Sequence, residues 1–205
     1  MTTTPLQIER ACQEGTAEAV TILRAFYPEE NPFWQLLLKH STQVRDKALA
    51  ILAASHGAVE ADARLVAKGA MLHDIGIGRC RAPGILCYGA EDYMAHGVVG
   101  AGMLREYAAE HAVDLEACAR ICERHTGSGL TAEEVRAEKL PIPVRDYLPV
   151  TPAERLVCLA DKFYSKSGAM AEKSLERLRS EMARFGEAPL RRLDEMIGEF
   201  LPGRG

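Results

Sequence analysis

Long apolar runs, an excess of basic residues and closely paired cysteines are all missing from this chain. No apolar run approaches the roughly 18 residues that suggest a membrane span, so no membrane partner is expected. The formal charge of −4 argues against nonspecific binding of nucleic acid, which usually shows as a basic excess. The stretch from Met1 to Leu6 has neither a basic nor a hydrophobic segment, so no secretory leader is expected and the cytoplasm is the default location.

The 6 cysteines contain no C-x-x-C pair. Cys118 and Cys122 lie four residues apart on a predicted helix and share a face, which leaves a zinc or redox role as a minor alternative. Buried thiols in a reducing compartment are the favoured interpretation of all six.

A chain of 205 residues with 47% apolar and 26% charged residues is long enough to bury a core. We expect one domain over residues 1–205, and the apolar spacing is helical almost throughout, so the predicted fold class is all-α. The strand-like windows, such as 85–88, are too short to build a sheet. Two amphipathic helices are predicted near the C-terminus, at about 169–184 and 189–200.

Local signals place several helix ends. Asn31 followed by Pro32 predicts the start of a helix that runs from Phe33 to about residue 54. Asp114 is a plausible N-cap, and Thr131 and Thr151 each begin a capping box of the S/T-x-x-E type. A helix from about residue 61 is expected to end at the glycines that follow residue 74.

Two connections are expected to be irregular. Residues 78–93 contain one proline, three glycines and two arginines and are predicted to form a long loop, a kind of segment that is often functional. Residues 140–150 hold three prolines and must be extended. Between them, Gly97, Gly100 and Gly102 weaken a predicted helix over about 94–109, which indicates that something packs closely against it.

Six potential metal ligands recur along the predicted helices. They are His40, His73, Asp74, His96, His125 and Asp161. Each alone has an ordinary explanation, such as a core histidine, a helix-end cation or a buried aspartate paired with arginine. Taken together, the six residues favour a metal site over these ordinary explanations, because four of the 6 histidines and two aspartates in apolar surroundings occur where neighbouring helices could converge. His56 and His111 do not fit this pattern.

A mixture of imidazole and carboxylate suits two divalent transition-metal ions among Fe, Mn, Zn, Co and Ni, and the residues do not choose among these metals. Asp74 is the expected bridge between the ions. His40, His73 and Asp161 would complete one site, and His96 and His125 the other. Two such ions roughly 3.5–4 Å apart lower the pKa of a bound water and hold phosphoryl oxygens, so the expected chemistry is hydrolysis of a phosphate ester or anhydride by a metal-bridging hydroxide.

The ordered ligand set, with the run His73-Asp74-Ile75-Gly76, resembles the HDIG subgroup of the HD-domain metal-dependent phosphohydrolase superfamily. The resemblance spans about 33–166 and implies an HD-domain helical bundle with that segment as its metal-binding core. The two later histidines are similar to the dinuclear members, and 125–127 and 159–162 resemble hydrolases of diadenosine tetraphosphate. An adjacent His-His pair and a Gly-Tyr-Pro element are lacking, which departs from the cyclic-dinucleotide phosphodiesterases.

Three cationic side chains are candidates for binding a phosphorylated substrate. Lys162 directly follows Asp161 and is also expected to be catalytic, together with Asp74. Lys166 lies one turn further on, and Arg145 between two prolines is a candidate for bidentate phosphate contact. Solvated surface cations are the competing interpretation for each of the three.

The expected activity is hydrolysis of a small phosphorylated substrate, such as a nucleotide or related compound. Two alternatives stay open: a di-iron oxygenase that uses the same ligands, and a ligand-sensing HD module without turnover. No nucleic-acid or membrane partner is expected, and the pattern leaves a homo-oligomer open. The substrate and the role of residues 78–93 cannot be derived from the sequence.

Overall fold

A computed structural model describes residues 5–203, and it is dominated by helices. Residues 1–4, on which part of the argument against a leader rests, and residues 204–205 lie outside the described part. The α-helices are α1 (Pro5–Phe26), α2 (Pro32–Ala54), α3 (Ala63–Leu72), α4 (His96–His111), α5 (Glu116–Arg124), α6 (Ala132–Ala137), α7 (Pro152–Lys162), α8 (Leu175–Ala183) and α9 (Glu187–Phe200). Short 3₁₀ turns cover Ile75–Arg79, Pro83–Ile85 and Tyr93–Ala95. The predicted all-α class is confirmed.

Helix α3 lies at the centre of the bundle and packs against α1, α2, α5 and α7. Its sequence is apolar on nearly every side, which is typical of a helix surrounded by others. Val66 and Ala70 face one hydrophobic cluster with α2, α7 and α9, and Met71 and Leu72 face a second with α1 and α4. The end of α3 is therefore held from several directions, and the pair His73-Asp74 follows it directly.

The predicted caps are present. The Asn31 side chain accepts a hydrogen bond from Trp34 N at 2.9 Å and starts α2. Thr131 and Thr151 both form complete capping boxes, at the starts of α6 and α7. The exception is α5, whose N-cap is Leu115 and not the predicted Asp114; Asp114 lies one residue earlier, and its side chain accepts a hydrogen bond from Glu116 N at 3.0 Å. Each cap satisfies backbone N–H groups that a helix cannot pair internally.

Residues 78–93 are more ordered than a simple loop. Strand β1 (Arg81–Ala82) pairs antiparallel with β2 (Cys87–Tyr88), so the expectation that 85–88 is too short for a sheet is wrong. Leu86 adopts a left-handed conformation with φ of 63°, which closes the turn between the strands. Backbone hydrogen bonds from Arg81 N to the Glu91 carbonyl and from Gly89 N to the Cys80 carbonyl, at 2.8 and 2.9 Å, hold the segment together.

The helix predicted from about residue 169 begins later, at Leu175 with Ser174 as its N-cap. Gly168 and Met170 have positive φ angles of 69° and 53°, which a helix cannot contain. Side-chain and backbone contacts hold this non-helical stretch instead, including one from Gln43 Nε2 to the Met170 carbonyl at 2.8 Å. The helix predicted from residue 189 begins at Glu187, and the long α1 had no specific prediction.

The cysteines and the two remaining histidines have ordinary structural positions. All six cysteines are free, and Cys118 and Cys122 are buried in the second hydrophobic cluster. His56 lies at a left-handed position after α2, and the His111 ring stacks on Tyr107. Among residues 5–203, no helix combines the length and the apolar character that crossing a bilayer requires.

Candidate metal centre

The six predicted ligands come from five helices and converge on one buried spot. His40 lies on α2, His73 and Asp74 directly follow α3, His96 begins α4, His125 follows α5, and Asp161 lies in the last turn of α7. All six are buried, and none is more than 6% exposed. Buried charged and polar groups need partners, so the convergence has to be explained by what the groups bind.

The first cluster contains His40, His73, Asp74 and Asp161. Asp161 Oδ1 lies 3.0 Å from His40 Nε2 and 3.4 Å from His73 Nε2. Asp74 Oδ2 lies 3.3 Å from the same nitrogen of each histidine. Four ligand atoms within 4.8 Å of one another are spaced for one coordinated cation.

The second cluster contains Asp74, His96 and His125. Asp74 Oδ1 lies 3.6 Å from His96 Nε2 and 3.4 Å from His125 Nε2. The two imidazole nitrogens are only 3.0 Å apart. Asp74 thus offers one carboxylate oxygen to each cluster, which is the geometry of a bridging ligand, and the ligands fall into the two groups predicted from the sequence.

Three of the histidines are oriented by the same device. The Nδ1 atoms of His73, His96 and His125 each lie 2.6 Å from the backbone carbonyl oxygen of the residue three positions earlier. Nδ1–H donates to that carbonyl, so the Nε2 lone pair points into the cluster. Metal-binding histidines commonly use this second hydrogen bond to fix the tautomer and the ring orientation.

The arrangement fits divalent cations. His73 Nε2 and Asp74 Oδ1 are buried and have no hydrogen-bond partner among the described residues. The Nε2 lone pairs of His96 and His125 face each other at 3.0 Å, which is repulsive unless a cation or a proton lies between them. Inward-facing lone pairs on several imidazoles and two carboxylates therefore form a donor set that suits first-row transition metals.

The electrostatics of the two clusters differ. Burial disfavours the charged form of His73, but the neighbouring carboxylates, led by Asp74, outweigh burial and raise its pKa to about 9. Burial lowers the pKa of His96 to about 3 and also lowers that of His125. Burial works against ionised Asp74, yet Lys166 and His73 hold its pKa well below the usual value. The second cluster presents neutral imidazoles, whereas a cation that enters the first must displace a proton.

Both predicted lysines lie at this centre. Lys162 Nζ is 2.7 Å from Asp161 Oδ2 and donates to the His125 carbonyl at 3.0 Å. Lys166 Nζ is 2.8 Å from Asp74 Oδ2. Burial disfavours the ammonium of Lys166, but the two aspartates raise its pKa above the ordinary value. Each lysine therefore places a positive charge beside a metal-binding carboxylate.

Arg145 lies elsewhere. Its Nη2 is 2.9 Å from Glu123 Oε2, and its guanidinium group covers the Tyr147 ring at 4.5 Å. Glu123 also pairs with Arg105 at 3.0 Å, so two arginines hold one buried carboxylate two residues before His125. Binding of substrate by Arg145 stays a prediction that this position does not favour. Glu123 had no sequence signal, because the two arginines that hydrogen-bond to it are distant along the chain; its neighbour Arg124 lies 3.9 Å away.

Glycines bring α4 close to the other ligand-bearing elements. A Cβ atom on Gly76 would lie 2.1 Å from the His96 carbonyl oxygen and 2.5 Å from Gly100 N. A Cβ on Gly97 would lie 2.5 Å from the Cys122 carbonyl oxygen. The expected close packing is confirmed at Gly97 and Gly100. Nothing lies within 4 Å of a Cβ on Gly102, so packing does not explain that glycine.

A cleft of about 500 Å³ opens above the metal centre. Its floor includes Asp161, Lys162, Lys166 and Tyr93. Tyr93 had no strong sequence signal, yet its ring stacks on His96 at 4.8 Å, and burial raises the pKa of its hydroxyl to about 12. Residues of the segment 82–85 and of α8 and the turn after it also line the cleft. The volume lies within the range of roughly 300–1,000 Å³ that small-molecule sites occupy.

Comparison with curated proteins finds relatives among archaea. An uncharacterised protein of Methanocaldococcus jannaschii is 40% identical over 126 residues, which cover 61% of this chain and 64% of that protein. The tRNA (cytidine(56)-2'-O)-methyltransferase of Picrophilus torridus is 40% identical over 107 residues, covering 52% of this chain and 26% of the enzyme. The enzyme of the same name in Thermoplasma volcanium is 36% identical over 129 residues, which cover 63% of this chain and 32% of that enzyme. In each case the matched segment is less than two thirds of the relative's length.

No solved structure matches the chain. The sequence model of the HD domain family matches residues 37–165, a segment that contains all six clustered ligands and more than half of the chain. Members of this superfamily of metal-dependent hydrolases bind divalent metals, and this chain has two buried groups of histidine and aspartate that could hold them. This chain belongs to the HD domain family.

Proposed function

We propose that the protein is a metal-dependent phosphohydrolase that cleaves a phosphate ester or anhydride of a nucleotide or related small compound. The observation that carries the proposal is the position of Asp74, whose two oxygens face different clusters at 3.3–3.6 Å. One carboxylate shared in this way fits two cations close together. A bound pair of divalent ions supplies a water of lowered pKa and neutralises charge on phosphoryl oxygens.

The chain's own residues supply the remaining functions. Lys162 and Lys166 lie on the cleft floor beside the metal-binding carboxylates and present ammonium groups to phosphoryl oxygens. The oxygen of water forms a new bond to phosphorus and gives up a proton, the bond from phosphorus to the leaving oxygen breaks with its electron pair, and the leaving oxygen takes up a proton. Lys162 stabilises the negative charge that develops on the phosphoryl group, which is a catalytic role in addition to binding.

The names of two relatives do not extend methyl transfer to this chain. The segment shared with the tRNA methyltransferases is 26% and 32% of their length, so most of each enzyme has no counterpart in the match. The buried His and Asp clusters suit phosphoryl transfer instead.

The test is hydrolysis, followed both as release of inorganic phosphate and as formation of nucleotide products, by protein reconstituted separately with Mn²⁺, Fe²⁺, Zn²⁺, Co²⁺ or Ni²⁺. Substrates are nucleoside mono- and diphosphates and dinucleoside polyphosphates. We expect Asp74→Asn to lose bound metal and at least 100-fold in rate. Asp46→Asn is the matched control, because the Asp46 side chain is 61% exposed and pairs only with its neighbour Arg45 among the described residues.

Three results would contradict the proposal. The first is hydrolysis that survives loss of both metals in Asp74→Asn. The second is turnover that requires dioxygen and hydrolyses no phosphate compound, which would favour the di-iron oxygenase. The third is specific ligand binding without turnover under all metal conditions, which would favour the sensing module.

A further inference from the structure

Tyr93 contacts the ligand His96 at two points. His96 Nδ1 lies 2.6 Å from the Tyr93 carbonyl oxygen. The two rings also stack, with centroids 4.8 Å apart and 16° between their planes. His73 and His125 each hydrogen-bond to a carbonyl three residues earlier as well, but the residues that supply those carbonyls have no aromatic ring. Among the described residues, His96 is the one clustered histidine that a single neighbour holds through both its backbone and its ring.

The turn before α4 fixes the position of Tyr93. Tyr93 begins a 3₁₀ turn whose N-cap is Asp92, and the Asp92 side chain accepts a hydrogen bond from Met94 N at 2.8 Å. The Tyr93 side chain is partly buried and packs against the second hydrophobic cluster. His96 follows this turn as the first residue of α4. Because both the backbone and the side chain of Tyr93 are anchored, its ring is a fixed surface for the imidazole.

The second cluster depends strongly on the orientation of His96. It has three ligand residues, whereas the first cluster has four. The separation of 3.6 Å between His96 Nε2 and Asp74 Oδ1 is also the longest between a carboxylate oxygen and an imidazole nitrogen at the centre. Metal–ligand distances tolerate only about 0.2 Å. With so few ligands, a small rotation of the His96 ring would remove a large part of the binding free energy of this site.

Stacking on Tyr93 also favours a cation at His96 electrostatically. The face of a tyrosine ring is negative and its edge is positive. An imidazole that binds a cation takes up part of its positive charge, and a stacked aromatic face attracts such a charge. The His125 ring also contacts His96, at an interplanar angle of 71°, but it belongs to a ligand of the same cluster. Tyr93 therefore supplies an attraction that a ligand of the cluster cannot supply.

We infer that Tyr93 is a positioning residue for the second metal site, and that its stacked ring holds the His96 imidazole in the orientation that binds a cation. The carbonyl contact alone fixes which nitrogen faces the cluster, and the ring contact fixes the plane of the imidazole. The inference rests on the proposed function only in requiring two bound cations. It does not require that the protein hydrolyse a phosphate compound.

A second stack of tyrosine on histidine provides a matched control on the same helix. The Tyr107 and His111 rings stack with centroids 3.9 Å apart and 11° between their planes. His111 Nδ1 lies 2.9 Å from the Tyr107 carbonyl oxygen. This pair lies at the end of α4, and neither residue belongs to either ligand cluster. Tyr107→Leu therefore removes the same kind of contact from the same helix without touching a metal ligand.

The experiment is titration of the metal-free full chain with Co²⁺, without substrate, followed by visible absorption and calorimetry. We expect Tyr93→Leu to weaken binding of one ion by about 10- to 100-fold and to leave the other within about twofold. Tyr93→Phe keeps the ring and should bind both ions as the parent protein does, and so should Tyr107→Leu. Tyr93→Met, which also packs without a ring, provides the same test if Tyr93→Leu does not fold.

The variant His96→Ala shows whether Tyr93 acts through His96. It lacks a ligand of the second cluster and should retain one ion, whose affinity Tyr93→Leu should not change further in the double variant. Weaker binding of that ion in the double variant would overturn the inference, as would equal loss of both ions in Tyr93→Leu, no loss of either, or an equal loss in Tyr93→Phe. A parent protein that binds fewer than two ions overturns it as well, whereas two ions without hydrolysis would contradict the proposed function alone.

Discussion

Substitution of Gly76 by alanine is expected to remove one of two metals and leave the other. The added Cβ would lie 2.1 Å from the His96 carbonyl oxygen, and contacts under 3.0 Å force something to shift. Because the three nearest contacts of this Cβ are all backbone atoms of α4, we expect the helix to move by about 1 Å. Asp74 Oδ1 and His96 Nε2, now 3.6 Å apart, would separate to a similar extent.

The loss of metal is expected to be selective, because the ligands of the first cluster lie on α2, on α7 and directly after α3, and none lies on α4. Metal–ligand distances tolerate only about 0.2 Å, so a displacement of about 1 Å disables the site formed by Asp74, His96 and His125. We expect Gly76→Ala to bind one ion per chain where the parent protein is proposed to bind two. Activity should fall by about 100-fold, and overpacking should cost about 1–3 kcal/mol of the free energy of unfolding.

The assay is metal analysis by mass spectrometry after gel filtration, with titration of the metal-free protein and thermal unfolding in parallel. Gly102→Ala is the control on the same helix, since nothing lies within 4 Å of its added Cβ. It should bind both ions and gain about 0.5–1 kcal/mol, because alanine favours helix more than glycine does. If Gly76→Ala retained two ions at parental affinity, the argument from close helix packing to ligand geometry would be refuted.

Three further outcomes are expected. Arg145 and Arg105 outweigh burial and lower the pKa of Glu123 from 4.5, so the stabilisation that its carboxylate gives is present above pH 4.5 and is lost as the pH falls below it. With chelator present, Glu123→Gln should lower the free energy of unfolding in urea by about 1–3 kcal/mol at pH 7. A difference between the two proteins that persisted undiminished at low pH would contradict this. If free metal is present at about 100 times its dissociation constant, removing it with a chelator should lower the free energy of unfolding by about 2.7 kcal/mol and Tm by about 5–10 °C in calorimetry. An unchanged Tm would mean that the folded state binds no metal. Ser128→Ala should cost about 0.5–1.5 kcal/mol in chemical unfolding, because Ser128 Oγ donates to the Pro189 carbonyl at 2.8 Å, and no loss would show that water replaces this bond.

The sequence predicted the ligand-bearing elements well because their signals are local. Asn31 and Thr151 mark the starts of α2 and α7, and the ligands His40 and Asp161 occupy buried positions on those helices. The division of the ligands into two clusters was also predicted from the sequence, with Asp74 as the residue that the two clusters share. The HD family match supports the same centre.

Other features depend on long-range contacts that no local pattern encodes. Hydrogen bonds from Gln43 and to the Phe163 carbonyl hold the non-helical segment that precedes α8. Helix propensity contains no information on these contacts, so the sequence placed the start of α8 too early. Arg145 pairs with Glu123 across 22 residues, and a loop arginine does not reveal its partner in advance. The short β1–β2 pairing forms because the ends of residues 80–91 are hydrogen-bonded to each other.

The spread of the ligands along the chain links metal retention to the cooperativity of unfolding. His40 and Asp161 meet although 121 residues separate them, and bringing two such points together in an unfolded chain costs about 4 kcal/mol of loop-closure entropy. An unfolded chain therefore offers no preformed chelate, and the proposed ions would bind only after five helices have assembled. Release of metal during denaturation should follow the global transition with a single midpoint, so that the bound ions report on the integrity of the whole bundle.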